Sequence, residues 1–332
     1  MLKKLIFQRR VLAIAAITGF SISCSQTNHY PLEEAQSSVN NSVNETNRFP
    51  SVQSYRHKIW NQSQQKPQPI IIELLKLSHI NPVQIQNYTD LVKITQDSWL
   101  RKAGTERWHI ESKKELEDKR KEFIACFKKL GMLDEILPTN TNYDGQGILG
   151  ATAKNVDRRA QFALKLLDNK HVNVPFTDMI EGERDLQLNE KEYLAKNFNA
   201  AADTINTEPQ MMKYLGEHYF KDKKWTQIEA SKGPGAIRAN TEDTIVVLVK
   251  ERFGEKVNQP QKIYTYNLIS HQPLCYYQLF AAEVALKKHH FSHIKFDISG
   301  CITSNTFEEE IGLYLDTLAR MIYCIDQYEK FS

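Results

Sequence analysis

From residue 143 onward, short apolar runs alternate with amphipathic stretches, and each change of period marks a new element. "GILGAT" (147–152) reads as a strand entering a small-residue turn, and "NVDRRAQFALKLLDN" as the helix behind it. The alternation repeats. "NVPFTDMIEG" precedes the helix "TEPQMMKYLGEHYF", and "WTQIEA" precedes "NTEDTIVVLVKERFG" with an Asn cap. "QKIYTYNLIS" leads to "QPLCYYQLFAAEVALKK", and "HIKFDISG" leads to the closing helix that ends in "DQYEK". Five strand–helix pairs in succession predict an α/β fold, a doubly wound and mostly parallel five-stranded sheet over residues 143–332.

Ahead of the sheet the period is helical. Residues 69–142 predict a lead-in of about three helices of ordinary length. Asn81-Pro82 separates the first two helices, Ser112 and Glu115 resemble a capping box, and Gly131 is a stop. Residues 25–68 are rich in Ser, Asn and Gln, with few aliphatics, and predict a disordered polar tether. Residues 1–24 differ again. Lys3, Lys4, Arg9 and Arg10 precede a short apolar run, then Ser23-Cys24, the layout of a signal peptide with a lipidation cysteine. The run is too short for a comfortable membrane span. The expectation is a membrane-anchored lipoprotein facing the periplasm or cell envelope; a plain secretory signal is the alternative.

A formal net charge of +3 over 332 residues gives no sign of a nucleic-acid partner. The four cysteines after Cys24 all lie in apolar patterns and are expected as buried free thiols. In a parallel sheet, chemistry gathers just beyond the carboxyl ends of the strands. Gly150 and Thr152 then stand at a turn opening a helix, either an anion cradle or a plain corner. Arg159, one to two turns into that helix, is a ligand charge only if it points back across the turn. "IEGER" offers Glu183 as a general base and Arg184 as an anion clamp, or else a salt-bridged loop. "SKGPGAIRANTEDT" brings Arg238, Asn240 and Thr241. Ser270, His271 and Gln272 end a strand, without the elbow a serine nucleophile needs.

In order and spacing these stations resemble a bacterial envelope-protein family typified by SanA and YdcF, which share a domain of unknown function. The resemblance covers residues 143–300. "GILGATAKNVDRRAQFAL" is similar to the family's opening strand, glycine turn and arginine-bearing helix, with Arg159 at the arginine. Thr207-Glu208-Pro209 resembles its Ser-Glu-Ala helix start, "NTEDT" its Asn-Thr-x-Glu-Asn motif, and "LIS" with "HQPLCYYQ" its closing strand. Where the family has a His and an Arg, this chain has Pro273 and Tyr276. The resemblance implies a Rossmann-like fold, a role in the envelope barrier, and a small anionic or nucleotide-like ligand, with S-adenosylmethionine or a nucleotide as cofactor. It names no reaction. Two other readings stand beside it: a non-catalytic envelope protein with a degenerate site, and an enzyme acting on envelope sugar phosphates or lipid-linked precursors. For any reaction at this site, Glu183 and His271 are the catalytic candidates.

Overall fold

The computed structural model describes residues 50–102, 113–199, 204–233, 236, 238–254, 262–302 and 311–331. The leader, Cys24, Ser112 and the loop positions 234, 235 and 237 lie outside them.

The sheet is all-parallel. Its strands are β3 (Gly145–Leu149), β4 (Thr177–Gly182), β5 (Trp225–Ala230), β6 (Tyr264–His271) and β7 (Ile294–Cys301), in the order β5-β4-β3-β6-β7. Ile148 pairs with Ile269 and Ile180 with Ile228, so the apolar runs are in register across neighbouring strands. β3 and most of β4 are buried on both faces, as a central parallel strand requires.

Each face has its own core. Leu149, Ile180, Ile228 and Leu268 pack toward α8 (Thr241–Phe253), α9 (Cys275–Lys288) and α10 (Ile311–Lys330). Ile148, Met179 and Ile269 pack on the other side, toward α5 (Ala153–Asp168) and α7 (Glu208–Phe220). Each buried aliphatic contributes about 1.5–3 kcal/mol. The four cysteines at 126, 275, 301 and 324 are buried and free.

The lead-in belongs to the first core. It comprises α1 (Val52–Ile59), a short hairpin of β1 (Trp60–Asn61) and β2 (Lys66–Pro67), α2 (Pro69–Leu77), α3 (Tyr88–Trp99) and α4 (Arg120–Lys129). Ordered structure thus begins well before residue 69. Residues 50–68, expected within the polar tether, bury Val52, Tyr55, Ile59 and Trp60 along one side of α1 and into the hairpin. Ser51 closes a capping box with Ser54, and Glu283 of α9 accepts from the Val52 amide at 2.9 Å. α3 lies on α10, where Tyr88 donates to the Ile322 carbonyl at 3.1 Å and Gln96 to that of Ala319 at 2.8 Å. Gly131 ends α4 with φ +73°, a left-handed residue where glycine is favoured. One further helix, α6 (Leu188–Phe198), lies between β4 and α7, where no element was expected.

Candidate functional site

The strand order reverses between β3 and β6, since one connection runs to the left of β3 and the next to its right. At such a switch point the loops after the two central strands part and leave a crevice. The crevice is present as a cleft of about 540 Å³. Gly150, Thr152, Arg184, Arg238, Asn240, Thr241 and His271 all line it. The strand-end residues singled out in the sequence therefore gather at one edge of the sheet. It did not identify what each side chain does there.

Arg159 is fully buried beneath the cleft. It shares the inward stripe of α5 with Val156, Ala160 and Ala163, so the helix drives it under the turn and not into water. Its guanidinium donates to the carbonyls of Leu149 and Gly150 (2.5 and 3.1 Å), to Gln278 Oε1 at 3.2 Å and, from Nε, to His271 Nδ1 at 2.8 Å. That last bond fixes a tautomer. Nδ1 of His271 must accept, so the ring proton sits on Nε2. Through Nε2, His271 is then an N–H donor and not a base.

Arg184 is held just as firmly. Its guanidinium makes a forked pair with Glu190 (2.8 and 2.9 Å), bonds Glu208, and donates to the Ala151 carbonyl at 2.9 Å. Glu190, from α6, also accepts from the amide of Ala153 at 3.0 Å, the first residue of α5. The first amide of α5 is therefore bonded to a carboxylate of the protein's own. Glu208 Oε1 lies against Gly150, where a Cβ would overlap it and come within 3.2 Å of the Ile180 carbonyl. Gly150 is glycine because this corner has no room for a Cβ.

Besides Arg159, three more expected residues fall outside the cleft. Glu183, proposed as a base, has a side chain 44% exposed and faces Lys232 at 3.7 Å, the salt-bridged loop of the bland alternative. Ser270 is buried and bonds Gln278. Gln272 donates to the carbonyls of Gly131 and Asp134 (3.0 and 2.8 Å), which fastens the end of β6 to the turn after α4.

Four residues were not anticipated. Glu181, two before Glu183, lines the cleft and is 1% exposed. Its oxygens accept no well-formed hydrogen bond, since the nearby Gln227 amide donates to the Pro209 carbonyl. Burial pushes its pKa up to about 9; the weak pull of the Gln227 amide opposes this, and Glu208, Glu229 and Glu251 add to it. Arg101, just after α3, and Arg320 of α10 form the opposite wall around Asp316. Asp316 is 1% exposed and accepts from the Arg101 amide (3.0 Å), from its guanidinium (2.9 Å) and from Arg320 Nε (3.1 Å). A sequence signal for this wall exists: Asp316 and Arg320 stand four apart within the apolar run of α10.

No protein-family model, curated protein or solved structure matches this chain. Fold and site define it as a Rossmann-like parallel α/β protein with a polar switch-point cleft, closed on one side by helices from both ends of the described chain.

Proposed function

We propose that this chain binds a small anionic, nucleotide-like ligand in the switch-point cleft, as an exported envelope protein of the SanA and YdcF type. The observation that carries the reading is convergence. The ends of β3, β4, β5 and β6, far apart in sequence, bring Thr152, Arg184, Arg238, Asn240 and His271 to one cleft of nucleotide size. Binding is the reading proposed, because Nδ1 of His271 is taken by Arg159 and Glu183, the expected base, lies outside the cleft. The test is a thermal-shift and calorimetric screen of the purified full-length chain against nucleotides, sugar phosphates and S-adenosylmethionine. A hit in wild type that disappears in Asn155→Trp, which fills the cleft from the first turn of α5, supports the reading. Binding untouched by that substitution sinks it.

Export and anchoring rest on residues 1–24. Cys24→Ala is expected to release the protein from membranes or to block its processing. A wild-type chain that stays in the cytoplasm with Met1 intact would overturn that part.

A further inference from the structure

We infer that Glu181 reads the base of the ligand, giving one hydrogen bond to its edge and accepting another. The inference rests on the cleft being the site of a nucleotide-like ligand, and it names the end of that ligand that lies against β4.

Glu181 is the last residue but one of β4, between Ile180 and Gly182, and all three line the cleft. Alternation along the strand turns its side chain to the same face as Met179, the face covered by α5 and α7. There it is 1% exposed, so bulk water does not solvate the carboxyl. The nearby Gln227 amide is turned elsewhere. It donates to the Pro209 carbonyl at 2.9 Å, and neither Glu181 oxygen accepts a well-formed bond. The cleft has a second acid, Glu208, but Arg184 neutralises that one.

The surroundings also set the charge of Glu181. Glu208, Glu229 and Glu251, all acids, act on it. A carboxylate buried among acids is costly, and the group keeps its proton instead, its pKa pushed up to about 9 chiefly by burial. A protonated carboxyl carries an O–H donor beside a carbonyl acceptor. That pair is complementary to an acceptor standing next to a donor, the pattern on the Watson–Crick edge of every nucleobase. A cationic partner, or one with two donors, would call for the carboxylate that the neighbouring acids disfavour. Leu149, Ile180 and Leu274 line the same cleft and give apolar surface to the faces of a planar ring.

The experiment is calorimetry on the full-length chain with the 5′-monophosphates of adenosine, guanosine, cytidine and uridine, and with ribose 5-phosphate, which has the sugar and the phosphate but no base. Wild type is compared with Glu181→Gln, which keeps a donor beside an acceptor, with Glu181→Met, which has neither, and with Asn155→Trp. Melting curves confirm folding. At least one nucleotide is expected to bind wild type more tightly than ribose 5-phosphate does. Glu181→Met should weaken that nucleotide roughly 10- to 100-fold and leave ribose 5-phosphate unchanged. Glu181→Gln should recover most of the loss. Infrared spectroscopy supplies a readout that stability does not move: the nucleotide should shift the C=O stretch of a protonated carboxyl in wild type, and the shift should be absent in Glu181→Gln. Equal losses in Glu181→Gln and Glu181→Met, or no such band, mean a charged contact and overturn the inference. An equal loss with ribose 5-phosphate puts the contact on the sugar and overturns it as well. So does nucleotide binding that Asn155→Trp abolishes and Glu181→Met leaves unchanged. In each of these cases the cleft reading stands. Binding of none of the probes, or binding indifferent to Asn155→Trp, defeats both.

Discussion

The two sides of the cleft use arginine in opposite ways. At the β3–α5 corner, Arg159 and Arg184 are surrounded by acceptors that the fold itself supplies: strand-end carbonyls, Gln278, Glu190 and Glu208. On the helical wall two arginines, Arg101 and Arg320, share Asp316. An arginine beside a ligand edge is therefore not in itself a ligand charge. Its meaning depends on whether the protein has already matched it. A buried cation with a full set of internal acceptors holds the fold together.

The comparison can be broken most sharply at Arg184. Arg184→Met leaves Glu190 and Glu208 buried without their cation, and should cost about 3–5 kcal/mol of stability in a denaturant melt. A loss under about 1 kcal/mol, the upper range for exposed ion pairs, would mean that the corner is not the structural knot described here. Next comes Gly150→Ala, whose Cβ meets Glu208 and the Ile180 carbonyl. It should destabilise the protein by about 1–3 kcal/mol. A neutral result would show that Glu208 can move aside, which would reopen the corner to a ligand.

The third prediction concerns Glu181. Its folded pKa of about 9 stands above the ordinary value of 4.5. Between these two values the unfolded chain has lost a proton that the folded chain still holds, so stability falls as pH rises. The slope should not exceed about 1.4 kcal/mol per pH unit, and it should vanish above pH 9. Melts of wild type and Glu181→Gln from pH 5 to 9 should diverge, with the variant the flatter of the two. Parallel curves would place the carboxyl in contact with water. The smallest effect is expected at the wall. Arg238→Ala should change stability by no more than about 0.5 kcal/mol, the usual range for a position outside the packed core. A large loss there would make Arg238 a structural residue like Arg184 and would dissolve the contrast between the two sides.

Much of the fold could be read from periodicity. "WTQIEA" coincides with β5, and the Asn240 cap opens α8 as expected. Two elements were hidden. α1 lies in a polar stretch whose apolar residues, Val52, Tyr55, Ile59 and Trp60, still recur at helical spacing. Overall composition masked that local pattern. α6 is short and leaves few of its residues buried, so its sequence has little apolar stripe to detect. At the site, the strand-end rule found Gly150, Thr152, Arg238, Asn240 and His271. It could not tell Glu181 from Glu183: alternation would put both on one face, and what separates them is that β4 ends at Gly182, leaving Glu181 in the strand and Glu183 in the exposed loop. Nor could it find Arg101 and Arg320, since only the docking of α3 and α10 brings them to the cleft.

That last feature makes one wall of the cleft a product of long-range folding. Asp316 on α10 accepts from Arg101, 215 residues earlier in the chain. Closing so long a loop costs chain entropy that no local contact repays. This wall therefore forms with the global fold, once α3 has docked on α10, and not with any single strand–helix unit.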